Sequence, residues 1–241
     1  MSTKKRVLVI DDDNFMRETL TDVLLEKGYE ALWASSGKDA VKMVQEQSYD
    51  IVLLDLKMAG MNGLETFQSL KKIKPALKVT IITAYYQEEI IKNCLREGVF
   101  GVLYKPLDIN KVVEHIEIAA QEKIVMLVDD NENFRFELEA ILKEKGYYVI
   151  GARDSEEAIQ KAIQLPPHVL ILDVKLPTLN GCDIFIAIKE IVPTIEGILT
   201  TGYRDSETKD MIGMCLERGV KTCLYKPFDV SELLNILGEL F

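Results

Sequence analysis

Short apolar runs separated by amphipathic stretches set the rhythm of this chain. Ile51-Val52-Leu53-Leu54 and Val169-Leu170-Ile171-Leu172 are apolar without alternation, the pattern of strands buried on both faces of a parallel sheet. Between such runs the spacing changes. Met16, Leu20, Val23 and Leu24 fall at i, i+4, i+7 and i+8, and Phe134, Leu138, Ile141 and Leu142 do the same, so each set lines one face of a helix. Gly28-Tyr29 and Gly146-Tyr147 follow these helices, glycine being suited to a left-handed helix stop. Asn110 and Ser231 are the expected N-caps of the last helix in each half.

The pattern occurs twice. Val9-Ile10-Asp11-Asp12 returns as Leu127-Val128-Asp129-Asp130, and Leu53-Leu54-Asp55 as Ile171-Leu172-Asp173, each 118 residues on. Asn62-Gly63 and Thr83 return as Asn180-Gly181 and Thr201 at the same offset, and Tyr104-Lys105-Pro106 as Tyr225-Lys226-Pro227 at 121. A period this long signals a duplicated domain rather than a solenoid. The expected boundary separates residues 1–122 from 123–241.

Each half reads as five strands alternating with five helices, which implies a parallel sheet with right-handed crossovers and helices on both faces. At this length the flavodoxin-like, doubly wound (βα)5 arrangement with strand order 2-1-3-4-5 is the economical α/β choice, and its ligands sit beyond the C-terminal strand ends. Asp11 and Asp12, Asp55, Thr83 and Lys105 stand at or just past the ends of strands 1, 3, 4 and 5. Residues spread over almost a hundred positions are thereby brought to one edge.

Three carboxylates held together repel one another unless a cation joins them. An oxygen-only cluster with open positions suits Mg2+. The central strand-3 carboxylate can act as a nucleophile toward phosphorus, and phosphoryl transfer asks the protein mainly for positioning and charge neutralisation. Lys105 supplies positive charge, and the Thr83 hydroxyl is placed to donate to a phosphoryl oxygen.

The set Asp11-Asp12, Asp55, Thr83 and Lys105-Pro106 resembles the bacterial response-regulator receiver domain, and Asp129-Asp130, Asp173, Thr201 and Lys226-Pro227 resembles a second one. Together they cover essentially the whole chain. The resemblance implies a phosphoacceptor that takes part in its own phosphorylation and dephosphorylation, with Asp55 and Asp173 receiving phosphate from a sensor histidine kinase or phosphotransfer protein. It implies Mg2+ held by Asp12 and Asp55, or Asp130 and Asp173, with Asp11 and Asp129 beside them and the backbone carbonyl of Lys57 or Lys175 completing the protein ligands. A cis Lys-Pro bond is also implied.

The chain departs from the family pattern in several places. Val102 and Cys223 stand where a switch aromatic is usual, and Tyr104 and Tyr225 lie beside the lysine instead. Ala59 replaces the usual proline that the second copy keeps as Pro177. The three extra residues of the second copy fall between Thr201 and Cys215, expected around Tyr203–Thr208. Lys57, Lys175, Tyr85 and Tyr203 are expected to crowd the sites, hinder water and lengthen the life of an aspartyl phosphate.

Composition narrows the alternatives. The net charge is −10, with −2 in residues 1–123 and −8 in residues 124–241, which argues against direct nucleic-acid binding. No apolar run approaches a membrane span and no secretory signal opens the chain, so a cytoplasmic protein is expected. Cys94, Cys182, Cys215 and Cys223 form no CxxC pair and read as buried reduced thiols. His115 and His168 read as structural residues, and Asp13, matched by Asn131, as a helix-entry residue. There is no Walker loop or dinucleotide loop. Output is expected through a downstream protein target or onward phosphotransfer, with a second copy of the chain among the candidate partners. A longer regulator, a kinase containing this portion, or a scaffold with one site unused remain alternatives. An aspartate-nucleophile phosphatase wants a second acid two residues past the nucleophile, where Lys57 and Lys175 stand. With almost no linker before Ile124, the two halves are expected to be held fixed or only narrowly hinged.

Overall fold

The computed structural model describes residues 4–84, 88–119, 123–177 and 179–241. The chain divides into two compact units, Met1–Ala120 and Gln121–Phe241. In the first, β1 (Arg6–Ile10), β2 (Glu30–Ala34), β3 (Ile51–Asp55), β4 (Lys78–Thr83) and β5 (Gly101–Tyr104) alternate with α1 (Asn14–Glu26), α2 (Gly37–Glu46), α3 (Gly63–Ile73), α4 (Glu88–Arg96) and α5 (Ile109–Ile118). In the second, β6 (Ile124–Val128), β7 (Tyr148–Ala152), β8 (Val169–Asp173), β9 (Glu196–Thr201) and β10 (Val220–Tyr225) alternate with α6 (Glu132–Glu144), α7 (Ser155–Gln164), α8 (Gly181–Ile191), α9 (Ser206–Glu217) and α10 (Val230–Leu240).

Each unit holds one five-stranded sheet, β2-β1-β3-β4-β5 and β7-β6-β8-β9-β10, with every ladder parallel. This is the expected doubly wound order, twice. The unalternated runs are its centre: every residue of β3 and β8 is buried, the terminal aspartates included. Helices cover both faces because the sheet has two apolar faces to remove from water. Leu20 and Leu24 of α1, and Leu138 and Leu142 of α6, carry the predicted stripe into the core.

Both stripes stop where glycine was expected to stop them. Gly28 and Gly146 have φ of +93° and +86°. The N–H of each glycine bonds the carbonyl three residues back, at Leu25 and Lys143, while Tyr29 and Tyr147 reach Leu24 and Leu142. That pair of bonds is the Schellman arrangement, which satisfies two carbonyls the helix cannot.

The last helices begin earlier than expected. Asp108 caps α5 and Asp229 caps α10, each accepting the backbone N–H of the predicted cap, Asn110 and Ser231. Each aspartate precedes a helical residue while its own backbone is still extended, at φ −84° and −75°, so its carboxylate reaches the free amides first. Asp13 and Asn131, read as helix-entry residues, cap α1 and α6.

His115 is buried against Phe100, and burial pushes its imidazole down to about 4, which makes it a neutral core residue at physiological pH. The His168 ring accepts the Ile124 amide at the entry of β6. All four cysteines are free thiols. Among the described residues no helix is long and apolar enough to cross a membrane.

Candidate functional site

The C-terminal strand ends bring the separated aspartates together. In the first unit Asp11, Asp12 and Asp55 each place a carboxylate oxygen within 4.8 Å of the others, and in the second Asp129, Asp130 and Asp173 do so. Asp11 and Asp55 are buried while Asp12 faces solvent. Lys105 comes from the end of β5 and puts Nζ 2.9 Å from Asp11 Oδ2 and 3.1 Å from Asp55 Oδ2. Lys226 bonds Asp129 closely and stands 3.5 Å from Asp173 Oδ2. Three strand ends from distant stretches thus share one edge in each copy.

Local structure holds these groups in place. Asp11 Oδ1 accepts the Asp13 amide, and Arg17 donates from α1 to the Asp11 carbonyl. Asp129 is held in the same way by the Asn131 amide and Arg135. This arginine was missed in the sequence, although Arg17 and Arg135 recur at the same 118-residue offset. The Lys57 amide donates to Asp55 Oδ1. Two further contacts were harder to see, the first hinted at only by the contrast between Ala59 and Pro177. The Ala59 amide donates to Asp12 Oδ2 at 2.7 Å, and the Lys226 ammonium lies 4.3 Å from the centre of the Phe134 ring.

The cis peptides expected at Lys105-Pro106 and Lys226-Pro227 are both present. Thr83 and Thr201 end β4 and β9, and both are buried. The Thr201 hydroxyl oxygen accepts the Tyr203 amide. A cavity of about 360 Å³ adjoins Thr83, walled by Leu56, Met58, Leu64 and Ile90. Lys175 lies over the Tyr203 ring at 4.5 Å and pairs with Asp205 at 3.5 Å. Val102 is buried and Cys223 partly so, with no aromatic ring at either place. The expected crowding by Tyr85 concerns a position outside the described residues. So does the first-copy stretch 85–87 that would be compared with Tyr203–Thr208. Asp205, inside that stretch, caps α9.

Gly63 and Gly181 begin α3 and α8 directly against the aspartate-bearing ends of β3 and β8. A Cβ on Gly63 would lie 2.5 Å from the Asp55 carbonyl oxygen, and one on Gly181 would meet the Asp173 carbonyl oxygen. The obstacle is backbone, so it cannot swing aside. Gly63→Ala is expected to destabilise the first unit by about 1–3 kcal/mol, through overpacking. Urea unfolding followed by the fluorescence of Trp33, the one tryptophan, measures this, and an unchanged midpoint would rule the clash out.

The electrostatics follow from burial. Removal from water pushes the Asp55 carboxyl upward, Lys105 pulls it back, and Asp11 pushes it up again, leaving a net rise. In the second unit the same sequence of causes takes Asp173 to about 6. Burial works against the Lys105 ammonium, but its bonds to Asp11 and Asp55 prevail and its pKa rises. Asp173 Oδ1 is buried and has no hydrogen-bond partner among the described residues. A buried carboxylate oxygen without a donor, beside two more carboxylates, is what a hard cation satisfies. These aspartate clusters could therefore hold a metal ion.

Comparison with known proteins agrees with this geometry. A response regulator receiver protein of Anaeromyxobacter sp. (strain Fw109-5) is 25% identical over 236 residues, covering 98% of this chain and 95% of that protein. Sporulation initiation phosphotransferase F of Bacillus subtilis (strain 168) is 31% identical over 113 residues, 47% of this chain and 91% of the relative. Transcriptional regulatory protein ZraR of Escherichia coli (strain K12) is 38% identical over 113 residues, and of its length the match spans 26%. The response regulator receiver domain family matches residues 7–117 and again 125–238, each match enclosing one complete aspartate–lysine cluster. With both halves matched and both sites assembled, the chain belongs to the response regulator receiver domain family, as two receiver domains of the two-component type in tandem.

Proposed function

We propose that each domain accepts a phosphoryl group, on Asp55 in the first and Asp173 in the second, from a sensor histidine kinase or a phosphotransfer protein. The observation that carries this reading is the buried strand-end aspartate flanked by two acids and a lysine ammonium, present in both copies. A carboxylate oxygen attacks phosphorus, the O–P bond forms, and the P–N bond to the donor imidazole breaks, its electron pair staying on nitrogen. Lys105 and Lys226 sit where negative charge gathers on the transferred group. Thr83 and Thr201 end the neighbouring strands and offer hydroxyls to a phosphoryl oxygen.

Asp11, Asp12 and Asp55, or Asp129, Asp130 and Asp173, would hold Mg2+, with the main-chain carbonyl of Lys57 or Lys175 as the further ligand that the family resemblance implies. When bound, the ion neutralises the charge that builds up on the phosphoryl oxygens. The donor set is all oxygen, which favours Mg2+ over softer metals. Output goes by contact with a downstream protein or by passing the phosphoryl group onward, in a cytoplasmic setting.

The test is incubation of the full chain with Mg2+ and a small acyl phosphate, followed by intact-mass measurement. Wild type is expected to gain one phosphoryl group per domain. Asp55→Asn and Asp173→Asn are each expected to lose one, and the double variant both. Labelling that survives in the double variant, or none in the wild type, would overturn the assignment.

A further inference from the structure

The two acidic sites are not equivalent, and the difference lies in a main-chain hydrogen atom. In the first domain the Ala59 amide donates to Asp12 Oδ2 at 2.7 Å, and the Lys57 amide donates to Asp55 Oδ1 at 3.3 Å. At the same 118-residue offset the counterpart of Ala59 is Pro177, which has no amide hydrogen to give. Asp173 Oδ1, the counterpart of the oxygen that Lys57 serves, is buried with no donor among the described residues. Two carboxylates of the first cluster are therefore partly satisfied by protein donors without any ion. At the second cluster one of those donors is chemically impossible and the other is not made.

The Ala59–Asp12 bond also does structurally what a bridging cation does. It ties the loop after β1 to the loop after β3, the two segments that carry the acids. A donor that stabilises the ion-free arrangement lowers the affinity for anything that must replace it, because binding is set by the difference between the two states. Resting on the metal-dependent phosphoacceptor reading, we infer that residue 59 and its counterpart 177 set the divalent-cation affinity of their sites. The Ala59 amide is a built-in cation surrogate that makes the first site the weaker one. Proline at position 177 leaves the second site dependent on the ion.

The experiment is an Mg2+ titration of the full chain, read from the backbone amide resonances around Asp12 and Asp55 and, separately, around Asp130 and Asp173. The second set is expected to reach its midpoint at an Mg2+ concentration roughly tenfold or more below the first, the ratio that one hydrogen bond to a charged group represents. Ala59→Pro is expected to lower the first midpoint by roughly tenfold, and Pro177→Ala to raise the second by a similar factor. Ala59→Gly, which keeps the amide hydrogen, should leave the order unchanged. Equal midpoints in the wild type, or an Ala59→Pro variant that binds Mg2+ no more tightly, would overturn the inference and leave the phosphoacceptor assignment standing. Absence of Mg2+ binding at both sites would overturn the two together.

Discussion

Replacing Lys105 by methionine is expected to cost the first domain about 3–5 kcal/mol at neutral pH in the absence of divalent cations. The ammonium bonds two carboxylates at 2.9 and 3.1 Å, and all three side chains are largely buried, at 19%, 7% and 9% exposure. Methionine keeps most of the volume and removes the charge, leaving Asp11 and Asp55 facing each other in a medium that screens poorly. The pH dependence separates this cause from simple loss of packing. Lys105 is what pulls the Asp55 carboxyl down against burial, so without it the folded-state pKa rises further above the unfolded value. A group raised in this way binds its proton more readily in the folded state, so stability is lost as pH rises through the folded pKa and regained on acidification. The deficit in the variant should therefore shrink between pH 7 and pH 5. Mg2+ should also restore part of it, by replacing the missing positive charge. Urea midpoints of wild type and variant, followed by Trp33 fluorescence at both pH values with EDTA and with Mg2+, measure all of this. A deficit independent of both pH and Mg2+ would assign Lys105 a packing role only.

Much of this site could be read directly from the chain, and the reason is geometric. Asp55 and Thr83 end strands and Lys105 follows one directly, and strand ends in a parallel sheet lie on one edge whatever the helices do. A second copy then separates recurring residues from incidental ones: Asp11 has Asp129, whereas Asp13 has only Asn131. The caps at Asp108 and Asp229 were less legible. Asp-Ile-Asn and Asp-Val-Ser each offer two competent capping residues, and the choice depends on where the chain leaving β5 or β10 turns, which is decided by packing. Least legible were contacts in which residue type is silent. Any residue but proline has the amide that Ala59 uses, so only the contrast with Pro177 gave a clue. Phe134 meets Lys226 across 92 positions because α6 and the end of β10 are neighbours in space, and its counterpart in the first copy is Met16. Such differences sit around a geometry that the two halves otherwise share.

Asp173→Asn is expected to stabilise the second domain at pH 7 in EDTA while abolishing its capacity to accept phosphate. The residue is 8% exposed, one carboxylate oxygen lacks a partner among the described residues, and burial followed by the charges of Asp129 and Asp130 holds its pKa near 6 against the pull of Lys226. The unfolded chain releases that proton near pH 4. Between the two values the folded state binds the extra proton, so stability falls as pH rises from about 4 to about 6 and stays low above that. The loss from this one group is on the order of 3 kcal/mol. Asparagine is nearly isosteric and uncharged, so it removes the ionisation and flattens this part of the pH profile. Carboxyl-carbon NMR of the wild type should show Asp173 titrating near 6 in EDTA and at lower pH when Mg2+ is added, since a cation favours the charged form. Hydrogen exchange of the β8 amides, corrected for the intrinsic pH dependence, should report protection that falls over the same interval in wild type and not in Asp173→Asn. A titration below pH 4, or equal pH profiles for the two proteins, would mean that Lys226 already compensates the buried charge. The folded state maintains a poorly solvated anion at this position, which a cation is expected to relieve.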